Sequence, residues 1–249
     1  MITGDPEVAV DALLARVGKR VAAGIPLGLG KPVPLVNALY GRARRDTQLR
    51  LSIFTALSLE VPRAAGDLER RFLEPFAKRM FDGVPQLDYM RDLRAGAVPA
   101  NIALNEFYFR PGAMLGVPAA QQSYISSNYT HAARDMLARG LNAVLVMVAE
   151  RGGRYSLASN PDLTLDVVSA LRAGGAPCAV LGMVNRNLPF MTGDAEIGAD
   201  YFDVLVDAPP LEHRLFGVPN PPADPQDHAI GLHAAALVKD PVSGRAFIS

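Results

Sequence analysis

The sequence contains one cysteine, Cys178, inside the apolar run Cys-Ala-Val-Leu. A single thiol provides neither a disulfide framework nor a cluster of metal ligands, which is typical of a reducing cytoplasm. No apolar run approaches the roughly 20 residues that a membrane-spanning helix needs. Residues 1–20 are acidic and amphipathic, unlike a signal peptide. We therefore expect a soluble cytoplasmic protein with no metal site and no membrane association.

The sequence also carries no net charge, because 25 Lys and Arg residues balance 25 Asp and Glu residues. No basic run is interleaved with aromatic residues, so nucleic acid is not an expected partner. Hydrophobic residues make up 49% of the chain and charged residues 20%, which is a globular composition. With 249 residues, the chain is long enough to bury a sizeable core.

Apolar segments alternate with helical patterns along the chain. The first pattern, DPEVAVDALLARVGKRVAAG, is expected to be one helix that stops at Gly24. Later segments such as QLRLSIFTALSLE, NAVLVMVAE, PCAVLGMV and YFDVLVD predict strands, and NPDLTLDVVSALRAGG predicts a capped helix between two of them. This alternation predicts an α/β fold: an open, mostly parallel twisted sheet with helices on both faces.

The proline-rich link GVPNPPADPQD is the best candidate for a domain boundary. It divides the chain into an α/β domain over residues 1–222 and a segment over residues 223–249. We expect that segment to be a helix followed by GRAFIS, which could form a strand, and to lead towards a second domain.

Local motifs for common chemistries are weak. Gly24, Gly28 and Gly30 could let the backbone approach a phosphate or thioester chain, but their spacing fits no nucleotide loop and no clear strand precedes them. His131 could pair with Asp135 as a base with its orienting carboxylate, although a role in starting a helix is favoured. The other histidines, His213, His228 and His233, lack the spacing of a metal site, and no Gly-x-Ser-x-Gly elbow occurs.

Polar loops follow several predicted strands, over residues 55–58, 150–155 and 185–194. Open α/β sheets bind ligands outside the carboxyl ends of their strands. These three loops could therefore converge on one crevice, but their residues alone do not name a substrate.

Five segments, in order, resemble the N-terminal domain of the acetyl-CoA hydrolase/CoA-transferase family, which includes succinyl-CoA:acetate and 4-hydroxybutyrate CoA-transferases. GKPVPLVNALYGRA is similar to an early helix of the family, and LRLSIFTALSLE to a strand that ends in a Thr-Gly-Ala-Ser-type turn, with Ser58 at the serine. LNAVLVMVAERGGRYSLASNPDLTLDVVSAL resembles a strand, hairpin and helix. The family's Asn-x-x-Met-Pro…Gly-Asp loop and the strand after it resemble VNRNLPFMTGDAEIGADYFDVLVDAPPL. The family's helix that leads into the second domain resembles HAIGLHAAALVKD.

The resemblance implies a mechanism that this chain does not complete. Family members form a glutamyl-CoA thioester on a glutamate of the second domain, and we assign no catalytic residue here. The implied function is an acyl-CoA:carboxylate CoA-transferase or acetyl-CoA hydrolase, of which this chain is the N-terminal half. By itself, the chain is expected to be inactive. The residues expected to bind substrate or CoA are Gly28, Gly30, Ser58, Asn185, Asn187, Gly193 and Asp194.

The expected ligands are an acyl-CoA, with the coenzyme A thioester as substrate and no permanently bound cofactor, and a small carboxylate. The expected protein partners are a second CoA-transferase domain or partner chain and further copies of the same chain in a homo-oligomer. Two other readings stay open. One is a non-catalytic binding or scaffold subunit of the same fold, and the other is an unrelated hydrolase that uses His131 and Asp135.

Overall fold

A parallel sheet forms the centre of the computed structural model, which describes residues 1–217 and 221–237. Its strands lie in the order β1 (Ile2–Thr3), β9 (Val204–Val206), β7 (Ala179–Val184), β5 (Ala143–Arg151), β2 (Arg20–Gly24), β3 (Arg50–Thr55) and β4 (Ile102–Glu106). Two short strands, β6 (Arg154–Ser156) and β8 (Glu196–Ile197), pair antiparallel beside the end of β5. The expected α/β fold with a mostly parallel sheet is confirmed.

Helices connect the strands along the chain. They are α1 (Pro6–Val17), α2 (Val33–Arg45), α3 (Asp67–Phe81), α4 (Asp88–Arg94), α5 (Pro118–Gln122), α6 (Tyr129–Ala138), α7 (Pro161–Ala173) and α8 (Pro225–Leu237). Proline stands in the first turn of several of them, where its missing N–H would have no partner within the helix.

Both faces of the sheet are covered by apolar side chains. Along β5, Ala143 and Leu145 pack with residues of α1, α2 and α4, whereas Val144 and Val146 pack with residues of α6 and α7. Every residue of β7 is buried. This is why these strands are apolar without alternation, since side chains on a strand point to opposite faces and both faces here are dry.

The expectation of one helix over the first pattern was wrong. The helix α1 ends at Val17, and Gly18 caps it with a positive φ of 74°. The residues that follow form β2, which pairs in parallel with both β3 and β5. A five-residue strand directly after a glycine stop carries too little periodicity to distinguish it from the preceding helix. A strand therefore does precede the glycine segment that contains Gly28 and Gly30.

The chain divides into two compact units, Met1–Leu215 and Phe216–Ser249. The boundary expected between residues 222 and 223 stays a prediction. Residues 218–220 of the proline-rich link and residues 238–249, which include GRAFIS, lie outside the described residues. In the second unit the structure describes the helix α8.

Candidate functional site

The carboxyl ends of β2, β3 and β4 are tied together by backbone hydrogen bonds beyond the sheet. Gly28 N donates to Leu57 O at 3.1 Å, and Leu57 N donates to Tyr108 O at 2.8 Å. Leu57 holds a positive φ of 48°, which is uncommon for a residue with a side chain. Backbone of this kind persists only where its surroundings enforce it, and it concentrates at functional sites. These strand ends are therefore the first place to look for a ligand site.

Gly30 lies where no side chain would fit. A Cβ atom placed there would come within 2.1 Å of the amide group of Asn160. Asn160 precedes α7, but its side chain makes no capping bond and instead donates to Gly30 O at 3.4 Å. Gly30 thus allows the segment after β2 to lie directly against the start of α7.

A buried polar cluster lies beside the turn after β3. Lys31 is 1% exposed, and its Nζ donates to Ala56 O at 2.6 Å and to Leu57 O at 3.3 Å. Ser58 Oγ donates to Glu106 Oε1 and also lies 2.7 Å from Tyr89 Oη, so the tyrosine donates to the serine. Glu106 is 2% exposed at the end of β4. The side chains of Ser58, Tyr89 and Glu106 are therefore joined by hydrogen bonds, and Lys31 binds the backbone of the turn beside them.

Burial shifts the pKa values of this cluster. Loss of water lowers the pKa of the Lys31 ammonium to about 7, although the Glu106 charge opposes this. Burial likewise raises the pKa of Glu106, against hydrogen bonds from Ser58 and the charge of Lys31. Burial also raises the pKa of Tyr89 well above its ordinary value. Shifts of this kind are common at functional sites but also occur in structural networks.

An apolar cleft of about 320 Å³ opens at the same strand ends. Its walls come from the ends of β2 and β3, the segment after β4, the start of β5 with the residues before it, and the helices α6 and α7. None of the lining side chains in the described part of the chain is charged. The lining residues are Gly24, Ile25, Pro26, Leu27, Phe54, Thr55, Ala56, Phe107, Tyr108, Tyr124, Ser127, Asn128, Tyr129, Ala132, Met136, Leu141, Val144, Leu163, Thr164 and Val167.

Asn185 is bonded to its own surroundings rather than turned towards open space. It is 1% exposed, its Nδ2 donates to His213 O at 2.9 Å, and its Oδ1 accepts from Asn187 N and Nδ2 at 3.0 Å. Asn187 is exposed. These bonds give both asparagines a role in shaping the loop after β7, whereas a role in binding a substrate stays a prediction.

Gly193 and Asp194 lie farther along this loop and are exposed. Gly193 opens a 3-10 turn with a positive φ of 73°, and β8 follows it. The loop is fixed to the hairpin of β5 and β6, because Ser156 Oγ donates to Met191 O at 2.7 Å and Leu157 N donates to Ala195 O at 2.9 Å. Two of the three polar loops therefore do lie together. Binding of a ligand by Gly193 and Asp194 stays a prediction.

Arg186, which follows β7, binds three carboxylates at the end of β5 and after β9. It bonds Glu150 Oε2 at 3.2 Å, both oxygens of Asp207 at 2.9 and 3.0 Å, and Glu212 Oε1. The hydrogen bonds that Arg186 donates to Asp207 and Glu212 raise its pKa further. The charges at this end of the sheet are therefore paired with one another.

The two regions meet at His213. Its carbonyl accepts from Asn185, and its side chain lines a small cavity of about 20 Å³ together with Gly28 and Lys31. Burial lowers the pKa of His213. The structure thus brings Gly28, Ser58 and Asn185 into one connected region, while Asn187, Gly193 and Asp194 lie on the exposed side of the loop.

Several residues that dominate this region carry little signal in the sequence. Lys31 follows an apolar segment, and Glu106 ends one. A single charged residue at such a position was the available sign of a buried polar group. The cleft walls from α6 and α7 carried no motif. His131 is exposed, while Asp135 accepts from Ser127 Oγ at 2.7 Å and pairs with Arg134 at 2.8 Å, so these two residues do not form a base–carboxylate pair.

Within residues 1–217 and 221–237, no group of His, Cys, Asp and Glu side chains is arranged to hold a metal ion. In the same described part of the chain, no helix has both the length and the apolar character needed to cross a bilayer.

Comparison with solved structures identifies the fold. RipA from Yersinia pestis aligns with 96% of this chain at a TM-score of 0.54 and 19% identity, and a RipA variant aligns at 0.55. The chain spans about half the length of these structures, 48–49%. The likeness to RipA shows that the chain has this CoA-transferase-like α/β fold. A 4-hydroxybutyrate CoA-transferase from Porphyromonas gingivalis aligns at a TM-score of 0.46 and 17% identity, with 96% and 46% of the two chains covered. No family model and no curated protein matches the sequence.

Proposed function

We propose that this chain is the first domain of a CoA-transferase-type protein that acts on acyl-CoA thioesters, either as an acyl-CoA:carboxylate CoA-transferase or as an acetyl-CoA hydrolase. The observation that carries the proposal is the cleft of about 320 Å³ at the carboxyl ends of β2 and β3. Open α/β sheets bind ligands at this edge, and small-molecule sites are concave and mostly apolar. The fold shared with RipA supports the same assignment.

The proposal divides the chemistry between two domains. A carboxylate that attacks a thioester has to reach the carbonyl carbon, but among the side chains that the structure describes no carboxylate lines the cleft. Glu106 lies near the turn that leads to it, yet this residue is 2% exposed and bonded to Ser58. We assign the attack to a glutamate of a second domain, as the family resemblance implies. Thr55 and Ala56, which line the cleft directly before that turn, then belong to the wall against which the thioester lies.

Calorimetric titration of the purified chain with acetyl-CoA and longer acyl-CoA thioesters tests the proposal, together with an assay for release of free CoA. We expect binding without turnover. Absence of any binding at millimolar thioester would overturn the proposed ligand. Steady release of CoA by the chain alone would overturn the division of the chemistry, because the nucleophile would then have to lie within these residues.

A second candidate is a non-catalytic scaffold subunit that assembles with copies of itself. It is favoured by α3, which exposes Leu68 by 83%, Phe72 by 79% and Phe76 by 39%, at spacings that place them on one helix face. Charged residues of both signs flank this stripe in the sequence, so the face could pair with itself across a twofold axis. Sedimentation velocity should give a dimer for the native chain and a monomer for the Leu68→Ser/Phe72→Ser variant. A native monomer would contradict self-assembly.

A further inference from the structure

We infer that the acyl group this cleft accepts is an uncharged, mainly aliphatic chain of medium length rather than a short dicarboxylic acyl group. The inference rests on the proposed function, since it assumes that a thioester is the ligand. It adds the chemical class of the acyl group, which the lining and the volume of the cleft determine.

The cleft has an apolar interior and an amphipathic mouth. Phe54, Leu141 and Val144 line it and are at most 5% exposed, so they lie at its inner end. Three tyrosines also line it but are far more exposed, Tyr108 by 49%, Tyr124 by 44% and Tyr129 by 55%, which places them at its mouth. A ligand with an apolar tail and a polar attachment matches this gradient, because the tail is removed from water while the attachment stays near it.

Three hydroxyl groups of the wall are already bonded within the protein. Thr55 Oγ1 donates to Pro26 O at 3.1 Å, Thr164 Oγ1 donates to Asn160 O at 2.8 Å, and Ser127 Oγ donates to Asp135 at 2.7 Å. These hydroxyl protons are thus directed to protein acceptors rather than to a ligand. A carboxylate at the far end of an acyl chain would lose its water and gain no cation, since no Lys, Arg or His within residues 1–217 and 221–237 lines the cleft. A dicarboxylic acyl group is therefore disfavoured.

The size of the cleft sets an upper limit on the chain. If each methylene or methyl group occupies about the volume of a liquid water molecule, about 30 Å³, a cleft of about 320 Å³ holds an acyl chain of eight to ten carbons at most. Burial of one methylene contributes enough free energy to raise affinity about threefold to fourfold. Affinity should therefore rise steeply with chain length and then level off.

The experiment is a calorimetric series with free CoA and with butyryl-, hexanoyl-, octanoyl-, decanoyl-, dodecanoyl- and succinyl-CoA. We expect about tenfold tighter binding for each two carbons up to octanoyl or decanoyl, a plateau at dodecanoyl, and succinyl-CoA no tighter than butyryl-CoA. Binding of every thioester with equal affinity would overturn this inference and leave the proposed function standing. Failure of CoA and all its thioesters to bind would overturn the proposed function itself.

Matched variants locate the acyl chain. Ala132 is buried on α6 and lines the cleft, whereas Ala138 is exposed at the end of the same helix. Ala132→Leu should weaken octanoyl-CoA at least tenfold and move the plateau to shorter chains, and Ala138→Leu should change neither. An unchanged octanoyl affinity in folded Ala132→Leu would overturn the placement.

A second variant keeps the test decisive if Ala132→Leu does not fold. Leu163, on α7, is only partly buried and lines the cleft, so a longer side chain is more easily accommodated there. Leu163→Lys should weaken octanoyl-CoA and tighten succinyl-CoA, because it adds the cation that a second carboxylate needs. Retention of the native preference in Leu163→Lys would contradict the argument from charge.

Discussion

Lys31 has surroundings unlike those of an ordinary, solvent-exposed lysine. It is 1% exposed, and its pKa is lowered to about 7 by burial. Between about pH 7 and its unfolded pKa of about 10.4, the unfolded chain binds a proton that the folded chain releases. The free energy of unfolding should therefore rise with pH over this range. Below this range, the cost of burying the Lys31 charge destabilises the fold to its full extent.

We expect a gain of about 2 kcal/mol in unfolding free energy between pH 8 and pH 9.5, measured by urea denaturation. Lys31→Met should remove most of this rise. The matched control is Lys19→Met, since Lys19 is 60% exposed and pairs with Asp46 at 2.7 Å, and it should keep the native slope. Equal slopes in all three proteins would show that Lys31 stays protonated in the fold. The window ends below pH 10, because burial raises the pKa values of Tyr40 and Tyr89.

Glycine is required at position 30 because the backbone there lies directly against the side chain of Asn160. Gly30→Ala would place a Cβ atom 2.1 Å from the Asn160 amide, and we expect a loss of about 1–3 kcal/mol in unfolding free energy by urea denaturation. Gly4→Ala is the control, because its Cβ would meet Asp207 O at an ordinary 3.7 Å. The double variant Gly30→Ala/Asn160→Ala should lose less than the sum of the single losses. Additive losses would indicate that the overlap is not the cause.

At the scale of elements, Arg186 joins segments that follow three different strands. Arg186→Gln would leave Glu150, Asp207 and Glu212 facing one another, and we expect a loss of about 1–2 kcal/mol at pH 7, since the arginine is 39% exposed. Arg154→Gln removes one exposed pair with Glu196 and should cost less than about 1 kcal/mol.

The sheet was predictable because β5 and β7 are apolar on both faces, a pattern set by covering helices rather than by any special motif. The strand β2 was missed because five residues after a glycine carry little periodicity. The site was predictable only in part. Strand ends direct attention to Ser58 and Asn185, but which bonds a polar side chain makes depends on distant residues. Asn160 contacts Gly30 across 130 positions, and the cleft is closed by α6 and α7.

At the scale of the whole molecule, binding in the cleft should stabilise the fold. A ligand at a hundred times its dissociation constant adds about 2.7 kcal/mol to the unfolding free energy of a protein that binds it only when folded. Decanoyl-CoA should produce this shift in urea denaturation of the native chain. Ala132→Leu at the same ligand concentration should show a much smaller shift, and an equal shift would mean that the thioester binds elsewhere.

The tyrosines at the mouth of the cleft also provide an intrinsic fluorescence signal for binding. The chain contains no tryptophan and seven tyrosines, three of which line the cleft. Tyrosine emission is therefore not lost by energy transfer to an indole. A fatty acid, which has no ultraviolet chromophore of its own in this region, would change the emission of these rings as it displaces water from them. Occupancy of the cleft could thus be followed by fluorescence in the unlabelled protein.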